Sequence, residues 1–218
     1  MNRFAVRIWG SLVVAALVAA AYAIFVYAPL EQTMGIVQKI FYLHVPSAFV
    51  MFGAFVLSGG AGALYIAKRT DKLDALSEAS AEVGLLFCTI VLVTGPLWGK
   101  IAWGAWWTWE PRLTATLILW LIFVSYFILR SSMENPQTAK LYAAVLAVFG
   151  CLDIPIIVGA VRLWRGVHPE VIRTEGGLPP SMQLTLLVSA LAIILLGVTL
   201  ILWRYRNATR DLFAKEER

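Results

Sequence analysis

Six apolar stretches, each long enough to cross a membrane, dominate the sequence. They lie near residues 8–28, 46–67, 83–99, 113–130, 141–161 and 182–203. A helix needs roughly 20 mostly apolar residues to cross the hydrocarbon core of a bilayer. Of the 218 residues, 60% are hydrophobic and only 14% are charged, whereas soluble domains carry about 25% charged residues. The sequence therefore predicts an all-α, polytopic membrane protein with six transmembrane helices in one domain, residues 1–218, and excludes a water-soluble globule.

The first stretch has two features of a secretory signal peptide. Arg3 and Arg7 precede it, and it contains small residues near Ala19 to Ala23. The apolar core of a signal peptide, however, spans only ~7–15 residues, and this run is longer. We therefore expect the stretch to be retained as the first membrane anchor rather than cleaved.

The distribution of lysine and arginine between the loops predicts the orientation of the helices, because cytoplasmic loops are rich in these residues. Twelve lie at the termini and in the even-numbered loops: Arg3, Arg7, Lys68, Arg69, Lys72, Arg130, Lys140, Arg204, Arg206, Arg210, Lys215 and Arg218. The other six are Lys39, Lys100, Arg112, Arg162, Arg165 and Arg173. We expect both termini in the cytoplasm and segments 29–45, 100–112 and 162–181 on the outer face, which is periplasmic in a bacterial inner membrane.

Other classes of function find little support in the sequence. The net charge is +5, but the basic residues form short clusters between apolar runs, so no nucleic-acid partner is expected. Gly59, Gly60 and Gly62 lack the Gly-Lys-Ser/Thr ending of a phosphate loop, and we expect them to allow close helix packing. Cys88 and Cys151 lie in separate apolar runs and are expected to be core thiols.

Tryptophan is concentrated in one short segment. Five of the nine tryptophans fall within residues 98–109: Trp98, Trp103, Trp106, Trp107 and Trp109. An interfacial aromatic belt needs only one or two at each helix end. On a helix through this segment, Trp103, Trp107 and Glu110 would share one face. Trp106 and Trp109 would share another, so the segment could enter lipid on one side and offer aromatic walls to a planar ligand on the other.

The chain has two histidines, His44 and His168, and both are expected on the same outer face as the tryptophans. Imidazole is a usual axial ligand of haem iron, and two ligands from separate loops could hold the iron from opposite sides. Haem propionates would need cations, and Arg offers bidentate pairing. The candidates are Lys39, Arg112, Arg162, Arg165 and Arg173.

A family resemblance rests on three segments. Residues 103–114 read Trp-Gly-Ala-Trp-Trp-Thr-Trp-Glu-Pro-Arg-Leu-Thr and resemble the tryptophan-rich WWD motif of a haem-handling superfamily. Together with the six spans, residues 41–46 and 154–157 resemble the cytochrome c maturation protein C family, also called haem exporter protein C, over essentially the whole chain. Glu110 stands where the motif usually has Asp, which leaves open whether this carboxylate contacts haem or pairs locally with Arg112.

The resemblance implies an inner-membrane protein that holds haem b on its periplasmic face and promotes haem transfer to a periplasmic chaperone, cytochrome c maturation protein E. It implies His44 and His168 as axial ligands of the iron. The implied haem platform comprises Trp103, Gly104, Trp106, Trp107, Trp109, Glu110 and Arg112. The other implied partners are the ATP-binding-cassette maturation proteins A and B, the small membrane protein D and membrane lipid.

Three alternative functions were weighed. A b-type electron-transfer cytochrome would need histidines at facing positions inside the spans, and the predicted spans contain none. A haem lyase of the same superfamily would be longer and have more histidines. In a small-solute transporter, Asp153 would be the carboxylate in the pathway, since a carboxylate at membrane depth needs a partner or a watery cavity. The residues also leave open whether the chain catalyses covalent haem attachment to the chaperone or only positions the haem.

Overall fold

The structure, a computed structural model, describes residues 3–163 and 177–216, with side chains described for 4–160 and 177–210. The main helices are α1 Arg3–Tyr22, α2 Phe41–Lys68, α3 Asp71–Trp103, α4 Pro111–Ser132, α5 Pro136–Leu163 and α6 Pro180–Glu216. A π-helical turn, Ala23–Tyr27, extends α1, and a 3₁₀ turn, Ile36–Ile40, leads into α2. In the described residues, six helical segments are long and apolar enough to cross a membrane, which confirms the predicted all-α polytopic fold.

Several helices extend well beyond the apolar stretches that predicted them. Helix α3 begins at Asp71 rather than near residue 83, and α2 begins at Phe41 rather than near residue 46. Apolar windows end where charges appear, but a helix continues as long as those charges find partners or reach the membrane surface. His44 therefore lies in the first turn of α2, and the prediction that it occupies a loop is wrong.

Helix α2 lies at the centre of the bundle and packs against α3, α5 and α6. Its Phe55 is fully buried and stacks on Phe123 of α4, with ring centroids 3.9 Å apart. Ser58 of α2 donates to the backbone carbonyl of Ser77 in α3, and Ser77 donates to that of Ser58. Reciprocal hydroxyl bonds satisfy these buried polar groups inside the membrane, where water cannot.

The small residues of α2 allow close approach to α5, as the sequence predicts. A Cβ at Gly59 would lie 2.5 Å from Cβ of Cys151, and one at Gly62 would lie 3.1 Å from the carbonyl oxygen of Ala144. An added Cβ at Gly60 would meet nothing within 4 Å, so the prediction of close packing is wrong for this residue. Both cysteines are free, with Cys88 buried and Cys151 partly buried, in agreement with their prediction as core thiols.

Helix α1 lies at the edge of the bundle. It packs mainly against α6, and Trp9 Nε1 donates to Thr199 Oγ1 of that helix at 2.9 Å. Large apolar side chains along α1 remain exposed on the protein surface, among them Phe4, Leu12, Val14 and Val18. Such a surface suits contact with lipid, because lipid tails are as apolar as these side chains.

Ion pairs join the helices at one end of the bundle. Arg130 of α4 bonds both carboxylate oxygens of Asp74 in α3, at 2.7 and 3.0 Å, and also reaches Glu78 at 2.8 Å. Lys140 of α5 pairs with Asp71 at 2.7 Å, and Arg204 of α6 pairs with Glu82. Residues 71–82 of α3 thus hold α4, α5 and α6 together. The tryptophan segment follows the far end of α3 and lies at the opposite end of the bundle.

Candidate functional site

The tryptophan segment is a short irregular link between α3 and α4. Helix α3 ends at Trp103, and Gly104 adopts a left-handed conformation with φ of 75°, which glycine tolerates best at a helix C-terminus. Lys100 Nζ donates to the Gly104 carbonyl at 2.9 Å and secures the turn. Helix α4 starts at Pro111, and a proline disfavours helical geometry in the residue before it. Residues 104–110 are therefore not helical.

The prediction of a helix through residues 103–110 is therefore wrong. The two groups of side chains expected on such a helix nevertheless differ in their exposure. Trp106 and Trp109 are 58% and 76% exposed, whereas Trp103, Trp107 and Glu110 are partly buried. Irregular backbone between the Gly104 turn and Pro111 produces the same division that helical spacing would. The first group is largely exposed, and the second is covered in part by the rest of the protein.

A large cleft opens beneath this segment, between the start of α2 and the end of α3, and we name it the Trp cleft. It contains about 620 Å³ of space, including the part open to the surface. It is lined by Phe41, His44, Val45, Gly95, Pro96, Trp98, Trp103, Trp106, Thr108 and Leu113. Two of its rings, Trp98 and Trp103, meet edge to face with centroids 5.6 Å apart, an arrangement that aromatic pairs favour.

A second cleft, which we name the Arg cleft, adjoins the Trp cleft and shares His44, Gly95, Pro96 and Leu113 with it. It contains about 460 Å³ of space, and Trp107, Arg112 and Ile157 are among its further lining residues. Arg112 and His44 both line this cleft, and the charge of Arg112 interacts with both Glu110 and the imidazole. This cleft therefore places a guanidinium close to the imidazole.

His44 is the titratable side chain that lines both clefts. Its Nδ1 lies 2.8 Å from Thr94 Oγ1 of α3, and a Cβ at Gly95 would lie 3.4 Å from its Cε1. The imidazole is therefore held against one turn of α3 while it borders the open space on both sides. An imidazole held in this way can ligate a metal centre that enters either cleft.

Three buried polar atoms of residues that line the clefts have no hydrogen-bond partner among the described residues. They are Trp98 Nε1, Trp107 Nε1 and Thr108 Oγ1. Buried polar groups in native proteins are nearly always bonded, so each exception calls for a partner such as water or a ligand. Trp98 and Thr108 line the Trp cleft, where a bound molecule could supply that partner.

The structure brings together five of the residues that the sequence singles out: His44, Trp103, Trp106, Trp107 and Arg112. Trp109 lies beside them, with its ring 5.8 Å from that of Trp107, while Gly104 and Glu110 shape the link without lining either cleft. His168, Arg165 and Arg173 lie outside the described residues, as does the side chain of Arg162. Lys39 donates to the Phe25 carbonyl at 3.2 Å and is not among the residues that line the two clefts.

Sequence reasoning missed part of the wall that faces the tryptophans. Gly95 and Pro96 line both clefts, and Phe41 and Val45 flank His44 in α2. Phe41 and Val45 belong to a segment that the family resemblance uses, but their apolar side chains carry no signal that distinguishes a cleft wall from a helix core. The Gly95-Pro96 pair inside an apolar span could have indicated this part of the wall, because a proline inside a helix removes a backbone hydrogen bond and disturbs packing.

Comparisons with known proteins identify the family of the chain. The sequence profile of the family described as heme exporter protein C matches residues 1–217. The heme exporter protein C of Escherichia coli K12 is 33% identical over 183 residues, which cover 84% of this chain and 75% of that protein. The protein of the same name from Bradyrhizobium diazoefficiens is 36% identical over 183 residues, covering 83% and 70% of the two chains. The chain therefore belongs to the heme exporter protein C family and is a multi-pass membrane protein that handles haem in cytochrome c maturation.

Proposed function

We propose that the chain binds haem b at the Trp cleft, on the periplasmic face of a bacterial inner membrane, and passes it to a periplasmic haem chaperone. The observation that carries the proposal is His44, whose imidazole borders two adjoining clefts walled by tryptophan and aliphatic side chains. A haem iron already holds its four porphyrin nitrogens, so the protein needs to supply only axial ligands. One imidazole beside an apolar space is therefore sufficient for a first attachment.

The residues present fit a porphyrin in two respects. The walls of the Trp cleft are largely aromatic and apolar, and such walls suit a flat, apolar macrocycle. The orphaned donors at Trp98 and Thr108 supply hydrogen-bonding groups that a propionate or an accompanying water could use.

Each predicted site residue has a role in this proposal. His44 supplies one axial ligand and His168, from the following outer segment, the other. The platform residues are Trp103, Gly104, Trp106, Trp107 and Trp109. Arg112 pairs with a propionate, because a guanidinium matches the geometry of a carboxylate. Glu110 attracts Arg112 and positions it, which is the local role considered for this carboxylate.

Transfer requires that haem be oriented but not permanently held. The exposed rings of Trp106 and Trp109 place the mouth of the site at the protein surface, where an incoming chaperone could reach the vinyl edge of the macrocycle. One of the two histidine ligands would be exchanged for a ligand from the chaperone. The proposed partners are cytochrome c maturation protein E as the chaperone, maturation proteins A, B and D in the membrane, and surrounding lipid.

The proposal predicts a specific optical signature. The full-length chain, purified in detergent, should show a Soret band with low-spin features in both oxidised and reduced states. His44→Ala and His168→Ala should each weaken or shift that band, and a double Trp106→Ala, Trp107→Ala variant should reduce the haem content. Absorption spectroscopy, with and without added haemin, measures all four.

Trp203→Ala provides a matched control. This residue is 57% exposed on α6, beside Arg204 of the ion-paired end, and should leave the spectrum unchanged. Failure of the native chain to bind haemin, or a His44→Ala spectrum equal to the native one, would contradict the proposed site. Normal haem loading of the chaperone in a strain that carries both His→Ala changes would contradict the proposed transfer.

A further inference from the structure

Thr94 is the hydrogen-bond partner of the imidazole that the proposed function assigns to iron. Its Oγ1 lies 2.8 Å from Nδ1 of His44. The same Oγ1 lies 2.6 Å from the carbonyl oxygen of Ile90, one turn earlier in α3. The hydroxyl therefore stands between a ring nitrogen on one side and a backbone oxygen on the other.

The short distance between Thr94 Oγ1 and the Ile90 carbonyl oxygen indicates the direction of both bonds. If the hydroxyl donated to His44 instead, two oxygen atoms would lie 2.6 Å apart with no hydrogen between them, so the single hydroxyl hydrogen of Thr94 is donated to Ile90. The hydroxyl can then only accept from His44, and Nδ1 must carry a hydrogen. In a neutral imidazole with a protonated Nδ1, the lone pair available to a ligand resides on Nε2.

The packing around His44 supports the same arrangement. Its Cε1 lies against Gly95, the residue after Thr94, where an added Cβ would be 3.4 Å away. Thr94 and Gly95 thus contact consecutive atoms of the ring from one turn of α3. Since Nδ1 is occupied by Thr94, Nε2 is the ring nitrogen left for the clefts that His44 borders.

We propose that Thr94 is a positioning residue that holds His44 as the Nδ1–H tautomer and so presents Nε2 to the haem iron. This inference rests on the proposed function for the identity of the ligand, but the tautomer itself belongs to the protein without haem. Partners of this kind orient metal-binding histidines and adjust their basicity. A neutral hydroxyl is a weaker acceptor than a carboxylate, so it pulls less on the Nδ1 hydrogen and leaves less negative charge on the ring. The ligand is therefore oriented without being made strongly basic, which suits a protein that releases its haem.

The tautomer can be measured before any haem is added. The chain has only two histidines, so a His168→Ala variant labelled with ¹⁵N-histidine and purified without a histidine tag reports on His44 alone. Its nitrogen spectrum should show a protonated Nδ1 and an unprotonated Nε2. Thr94→Val keeps the branched shape but removes the acceptor, and should give a mixture of tautomers. Thr94→Ser keeps the hydroxyl and should restore the original spectrum.

Haem binding gives a second, independent measurement. Titration of the otherwise native chain with haemin should show an affinity lower by ~10- to 100-fold in Thr94→Val, as found when such partners of metal ligands are removed. Thr94→Ser should bind nearly as well as the native chain. The midpoint potential of the bound haem should also change in Thr94→Val, because the electron donation of its ligand changes.

Thr89→Val is a closely matched control. Thr89 lies in the same helix, donates to the Leu85 carbonyl at 2.8 Å and accepts from Trp120 Nε1 at 2.9 Å. Its loss removes an equivalent pair of bonds from α3 but leaves His44 untouched, so haemin affinity and the His44 spectrum should remain native.

The two proposals fail in different ways. If Thr94→Val leaves both the tautomer and the haemin affinity unchanged while the native chain binds haem through His44, the role of Thr94 is overturned and the proposed function stands. If the native chain shows a Thr94-dependent Nδ1–H tautomer but binds no haemin, the positioning is supported and the proposed function is overturned. An Nε2–H tautomer in the native chain overturns the positioning outright.

Discussion

Gly59 and Gly60 are neighbours in α2, yet only Gly59 faces another helix. Its backbone is so close to α5 that a Cβ would approach Cys151 Cβ to 2.5 Å and the carbonyl oxygen of Ala147 to 3.0 Å. Helices in membranes associate largely through such close packing, because lipid provides no hydrophobic drive between them. The absence of a Cβ at Gly59 therefore allows α2 and α5 to approach this closely.

We expect Gly59→Ala to lower the free energy of unfolding by about 1–3 kcal/mol, because overpacking forces the two backbones apart. Gly60→Ala is the control, since it meets nothing within 4 Å and gains up to ~1 kcal/mol of helix propensity. Thermal unfolding in detergent, followed by circular dichroism, compares the two. Equal midpoints for the two variants would contradict the packing described for α2 and α5.

Individual site residues were predictable from the sequence to the extent that their chemistry is rare. Five tryptophans within residues 98–109 and the scarcity of histidine were sufficient to expect that His44 and Trp106 share a site. The role of Thr94 was not predictable, because threonine is common in such helices and its value depends on which side chain of α2 lies 2.8 Å away. That distance depends on how α2 packs against α3, and no local sequence pattern predicts this packing.

Among the helices, α3 contributes most to the organisation of the fold. Its first turns carry the carboxylates that pair with α4, α5 and α6, and its last turns form walls of both clefts. The apolar stretch near residues 83–99 predicted the second half of this helix but not the first. Hydropathy marks only the apolar part of a helix and misses its charged turns. The available signal was Asp71 and Asp74, because acidic residues are typical of the first turn of a helix, at the positive end of its dipole.

The paired carboxylates lead to a prediction about stability. We expect Arg130→Met to lower the free energy of unfolding by about 3–5 kcal/mol, because it leaves the buried Asp74 carboxylate without its bidentate partner. The side chains of Arg130 and Asp74 are only 14% and 7% exposed. Thermal unfolding in detergent measures the loss.

Arg204→Met is the matched control for this change. Arg204 and its partner Glu82 are 43% and 44% exposed, and exposed ion pairs contribute only about 0–1 kcal/mol. A loss in Arg130→Met no larger than that in Arg204→Met would show that the buried pair does not hold α3 and α4 together.

At the scale of the whole molecule, the ion-paired end and the cleft-bearing end lie at opposite ends of the bundle. The distribution of lysine and arginine predicts that the ion-paired end faces the cytoplasm. The sequence predicted the number of spans. It also predicted that the tryptophans and His44 lie at the same end, because the start of one span and the end of the next lie on the same side of a membrane. The shape of the clefts did not follow, since it depends on the irregular path of residues 104–110.

We expect Gln32→Cys and Glu134→Cys to report this orientation in a chain whose two native cysteines are replaced by Ala. Gln32 is exposed in the link before α2, and Glu134 is exposed between α4 and α5. A membrane-impermeant thiol reagent applied to spheroplasts should label position 32 at once and position 134 only after permeabilisation. The reverse pattern would place the clefts on the cytoplasmic side.

The concentration of ion pairs at one end has a mechanical consequence. Arg130, Lys140 and Arg204 fasten three helices to the first turns of α3, while the two clefts open beside His44 and the tryptophans at the other end. A bundle held by ion pairs at one end deforms most easily at the end that lacks them. Widening the mouth to admit or release a flat cargo would then require neither disruption of the central core nor movement of the ion-paired ends of the helices.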